Sequence, residues 1–144
     1  MNGHSEIVMN SLDDYLAWKA DKTKFDLIDY LMCVSTPDTL VATLDLMSPE
    51  LIEVKGEYFI KHNYSDENFD AWMDKLKDMR DVQMVINHFH ISSFMQGQPV
   101  ANEVAVHVAR KIASIWSHQF KSLGLVAESY GDDFETAQVS LMRK

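Results

Sequence analysis

The chain is short of several things, and each shortage removes a class of function. It holds one cysteine, Cys33, in 144 residues. That excludes an internal disulfide and fits a reducing compartment. Its five glycines are scattered, so no glycine-rich loop is available to cradle a phosphate. No Gly-x-Ser-x-Gly elbow and no His-Glu-x-x-His spacing occurs; these are the signatures of α/β-hydrolases and zinc proteases. No apolar run reaches the roughly 18–20 residues that a bilayer-spanning helix needs. Residues 1–10 lack a basic segment followed by an apolar core. No secretory signal is therefore expected, and the cytoplasm is the expected location. Positive charge is scarce too: 13 Lys and Arg stand against 22 Asp and Glu, a net charge of -9. Phosphate binding needs a basic face, so this balance argues against nucleic acid. It favours solubility, or a basic partner.

What is present is enough for a packed core. Hydrophobic residues make up 47% and charged residues 24%, a globular composition and not a disordered one. The length fits a single globular domain over residues 1–144. The organising stretch is Asp81 to Leu125, read as two helices joined at Gln96-Gly97-Gln98-Pro99. In the second, Val104, Val108, Ile112, Ile115, Trp116 and Leu123 recur at helical spacing beside an alanine row at 101, 105, 109 and 113. In the first, Asp81 to Met95, Val82, Val85, Ile86 and Phe89 form one stripe and Met84, Ile91 and Met95 the other side. A helix apolar nearly all round is a buried one.

The flanking segments carry punctuation. Ser11-Leu12-Asp13-Asp14 and Thr36-Pro37-Asp38 read as helix starts, and Ser65-Asp66-Glu67-Asn68 as a third. Behind that last start, Phe69, Trp72, Met73 and Leu76 point inward. Leu51 to Val54 and Glu57 to Ile60 are β-prone quartets around Lys55-Gly56, a hairpin pattern. Leu51, Val54 and Tyr58 also share a helical face, so a helix stays open there. Leu125 to Tyr130 and Glu135 to Met142 read as strands around Gly131-Asp132-Asp133. The expectation is an α+β fold, mainly helical, with about six helices and one small antiparallel sheet from residues 51–60 and 125–142.

Candidate sites are few. His88-Phe89-His90 would aim both rings one way on a strand, but the helical reading sets them roughly 160° apart. His88 and His90 are thus weak metal candidates, and no metal ligand set or cofactor motif is expected. His107 lies with Lys111, Ser114 and His118 on the polar face of the long helix, too far from His118 to share an ion. Cys33 has no His or basic neighbour in sequence and reads as a buried, inert thiol. Nine methionines fall mostly on core stripes. Trp18 falls off the Leu12–Leu16 stripe and is a candidate contact residue. Asp132, Asp133 and Glu135 surround the last turn without calcium-loop spacing; they form a candidate patch for a basic partner. No catalytic residue is assigned. The reading is a soluble, non-catalytic protein-binding module with an acidic surface, of the kind a small inhibitor or immunity-type protein would be. The alternative is a small enzyme or metal-binding protein using His88, His90 and the His107 face.

Overall fold

A computed structural model describes residues 12–20, 27–95 and 100–144. The expected cap at Ser11, most of the break from Lys19 to Lys24, and the joint at Gln96–Pro99 lie outside these residues. The chain divides into two compact units between Leu46 and Met47.

The first unit holds helices α1 (Asp13–Ala20), α2 (Leu27–Val34) and most of α3 (Pro37–Met47). The Tyr30 ring ties α1 to α2: it meets Tyr15 and Trp18 edge-on, each at 5.5 Å between centroids. Helix α3 starts where the sequence says. Its Pro37 follows Thr36, whose hydroxyl accepts from the Thr39 amide at 3.1 Å, the capping bond that a helix start requires. No residue of α3 is buried.

The second unit begins with the hairpin β1 (Leu51–Val54) and β2 (Glu57–Ile60), paired Leu51 to Ile60 through Val54 to Glu57. The turn has φ of 51° at Lys55 and 83° at Gly56, the double left-handed pattern of a primed hairpin turn. Helix α4 (Asp66–Leu76) follows its expected Ser65 cap, which accepts from the Asn68 amide at 3.1 Å. Phe69 is buried beside Phe59, Val82 and Ile86, and Trp72, Met73 and Leu76 pack against that cluster.

Three expectations need correction. The helix expected over Asp81 to Met95 is cut short. Helix α5 runs Met79–Ile86, β3 follows at His88–His90, and Ile91–Phe94 is a 3-10 turn. The chain therefore has less helix than its apolar pattern implies. The single sheet expected from residues 51–60 and 125–142 is two separate sheets. The hairpin stands alone, and β4 (Leu125–Tyr130) and β5 (Gln138–Arg143) join β3 in the order β3-β5-β4. Third, Ile115, placed on the apolar arc of the long helix, is exposed.

That long helix is α6 (Asn102–Gln119), with Val104, Ala105, Ala109, Ile112, Ala113 and Trp116 buried. It covers one face of the three-stranded sheet: the Trp116 ring meets Phe89 at 5.6 Å, and Ser117 bonds the Ala127 backbone in both directions. Helix α5 covers part of the other face, where Ser140 donates to the Met84 carbonyl at 2.6 Å.

Two buried amides on α5 and its cap hold the second unit together. Asn87 accepts from the Ile60 amide at 2.8 Å and donates to the carbonyls of Tyr58 and Leu141 at 3.0 and 3.1 Å. Gln83 donates to the Tyr58 carbonyl at 3.1 Å and accepts from the Arg143 amide at 2.7 Å. Both residues thus bridge the hairpin to β5. Buried polar groups must be paired, and these are.

Candidate functional site

The candidate site follows from sheet register. His88 pairs with Ser140, and Ser140 pairs with Glu128; His90 pairs with Gln138, and Gln138 with Tyr130. Partners across a sheet share a face, and residues two apart on one strand share it too. So His88, Ser140 and Glu128 form one row, and His90, Gln138 and Tyr130 the next, on the face away from Trp116. The two histidine rings meet edge to face at 5.0 Å. The expected roughly 160° separation is thereby overturned, because the helix ends at Asn87.

A pocket of about 300 Å³ opens here, lined by Met84, Val85, His88, Tyr130, Gln138 and Ser140. His90 is exposed, and neither it nor His107 lines this pocket. His107 stands exposed on the outer face of α6 with Lys111, Ser114 and His118. His88 is half-buried, and its Nδ1 bonds the Val85 carbonyl. The Tyr130 hydroxyl donates to Glu128 Oε2 at 2.8 Å and lies 3.9 Å from the Met142 sulfur. Burial, then the bond to Glu128, pushes the Tyr130 phenol up to about 12. Among the described residues no group of three His, Cys, Asp or Glu side chains gathers as metal ligands do. The arrangement can therefore bind a molecule by hydrogen bonds and apolar contact.

The other candidates lie apart from this pocket's lining. Asp132 and Glu135 are exposed in the last turn. Asp133 is engaged: its Oδ1 accepts from the Thr136 amide and the Thr136 hydroxyl, both at 2.8 Å. Those bonds hold its carboxyl below the usual carboxylate range. Trp18 is 38% exposed on α1. Cys33, expected to be buried, is exposed on α2.

The sequence reading missed Tyr130, Gln138 and Ser140. The alternation of β5 held a signal for the last two, because the polar residues alternating with Ala137, Val139 and Leu141 had to face something. It also missed the apolar surface of the first unit. On α3, Leu40, Val41 and Leu44 are 43%, 57% and 56% exposed, and Leu31 and Val34 on α2 are exposed as well. No helix among the described residues is long and apolar enough to cross a membrane.

A family model described as "Uncharacterized protein PM0498 family" matches residues 35–136. The match takes in α3, His88 and Tyr130, and stops short of Gln138 and Ser140. No curated protein and no solved structure matches the chain.

Proposed function

The chain belongs to the Uncharacterized protein PM0498 family, and we propose that it is a non-catalytic protein-binding module whose partner carries an apolar groove with a basic rim. The observation behind this reading is the exposed apolar arc of α3. Leu40, Val41 and Leu44 share one side of that helix, each more than two-fifths exposed. Contiguous exposed apolar surface marks interaction sites, and an amphipathic helix laid in a groove is a common recognition mode.

Charge supports the choice of partner. Asp38 and Asp45 lie about 40–60° round the helix from Val41, along one edge of the arc, and both are exposed. From Leu27 to Val54 the sequence holds five acids (Asp29, Asp38, Asp45, Glu50 and Glu53) and no Lys, Arg or His. A second copy would set acid against acid across the interface, whereas Lys and Arg on a partner's rim would complement it. Exposed Asp132 and Glu135 add to the chain's net negative charge, while Asp133 serves its own turn.

A photoreactive residue in place of Leu44, in the full chain in its own cells, tests this reading. The expected adduct joins the chain to a second protein with a basic surface. It should fail to form when Leu40→Asp is added, and form more slowly as salt rises from about 0.05 to 0.5 M. An adduct between two copies would overturn the basic partner. An adduct confined within one chain, or none, would overturn the binding role of this face.

A further inference from the structure

The pocket at His88 is independent of the α3 face, and its hydrogen-bond inventory is selective. A carbonyl oxygen only accepts. The His88 bond to the Val85 carbonyl therefore puts a ring proton on Nδ1, and in that tautomer Nε2 carries a lone pair. Ser140 spends its hydroxyl proton on the Met84 carbonyl at 2.6 Å. Tyr130 spends its own on Glu128 at 2.8 Å. Three of the four polar side chains lining the pocket have thus committed their protons inside the protein. What they still offer is lone pairs: His88 Nε2, Ser140 Oγ and Tyr130 Oη. Gln138 adds one amide, able to give and to accept. Met84 and Val85 complete the wall.

Such a pocket asks its ligand for protons and for apolar surface. The charges nearby favour neither sign. Glu128 takes the Tyr130 proton, and the Arg80 guanidinium stands 3.8 Å from the Met84 sulfur. A cation would meet Arg80 and an anion would meet Glu128. The volume, near the small end of ligand pockets, fits one compact molecule. We propose that this pocket binds a small neutral alcohol, aliphatic or aromatic, whose one hydroxyl proton is shared between the His88 and Tyr130 lone pairs in a three-centre bond while its hydrocarbon lies against Met84 and Val85. The Gln138 amide can donate back to the same hydroxyl oxygen.

The test is titration of the full chain, followed by backbone amide correlation spectra, with phenol as the probe. n-Butylammonium and butyrate serve as charged comparators. Phenol should move the amides of Val85, His88, Gln138 and Ser140 along saturable curves in the millimolar range, and the comparators should not. Tyr130→Phe and, separately, His88→Phe should each weaken phenol binding roughly tenfold while amides elsewhere keep their positions. If His88→Phe fails to fold, Tyr130→Phe alone decides. Tighter saturation by butylammonium or butyrate at the same amides would overturn the neutral-alcohol assignment. Unmoved pocket amides with all three probes would overturn the site itself.

Discussion

Asn87 shows what a single buried side chain can control. Its amide answers three backbone groups from two different sheets: Ile60, Tyr58 and Leu141. Asn87→Ala would leave the Ile60 amide and the Leu141 carbonyl buried and unpaired, while Gln83 still donates to the Tyr58 carbonyl. Each such orphan costs about 1–3 kcal/mol, so a loss of more than about 2 kcal/mol is expected by urea titration. A loss near zero would mean that water or rearrangement replaces the amide. Tyr130 gives a second test at this scale, through pH. Its folded pKa, about 12, lies above the ordinary value of about 10. Folding therefore favours the neutral phenol. The stabilisation is fully present below about pH 10 and is lost as pH rises through the folded value. Absorbance titration at alkaline pH should show a late phenolate phase that Tyr130→Phe removes, and the variant should lose less stability over the same window.

At the scale of elements, the turns decide. Lys55 and Gly56 both take positive φ, so the Lys-Gly pair is used as a primed turn although Asn-Gly would suit it better. Lys55→Asn should raise stability by a few tenths of a kcal/mol to about 1 kcal/mol. Gly56→Val should lower it, because a β-branched residue resists that conformation. Gly131 is constrained differently: φ is 85° and an added Cβ would collide with the Thr136 carbonyl. Gly131→Ala should therefore lower the melting temperature more than Gly56→Ala, where nothing stands near the new atom. Both hairpins were legible in the sequence, the first as β-prone quartets around Lys55-Gly56 with a helix left open. The second was legible through the alternation of Ala137, Val139 and Leu141, although β5 starts at Gln138 and not at Glu135. The caps at Thr36 and Ser65 were legible too, being local chemistry. Strand β3 was not. His88–His90 is three residues long and owes its form to pairing with β5, roughly fifty residues away, while its apolar neighbours continue the period of α5. The pocket was illegible for a related cause: α5, β3, β4 and β5 each supply part of it, and only the register aligns them. The separation of the two sheets was hidden too, since nothing local in residues 51–60 says which strands they decline to join.

For the molecule as a whole, the balance is between an exposed apolar arc and an excess of negative charge. Leu40, Val41 and Leu44 would gain by burial against almost any apolar surface, including another copy of themselves. The net charge of -9 opposes that, because like-charged molecules repel as they approach. Repulsion reaches about 10 Å at 0.1 M salt and only about 3 Å at 1 M, while apolar attraction does not fade with salt. The two effects therefore separate under ionic strength. Sedimentation velocity should find the chain monomeric at about 0.1 M sodium chloride and increasingly self-associated toward about 1 M. Leu40→Asp with Leu44→Asp should abolish the high-salt association by putting charge in the arc itself. Asp38→Asn with Asp45→Asn should move the onset to lower salt, since those two carboxylates stand at its edge. Association that is strong at low salt and weakens as salt rises would mean that ion pairs hold the copies together, and the acidic arc would then have found its basic complement on the chain itself.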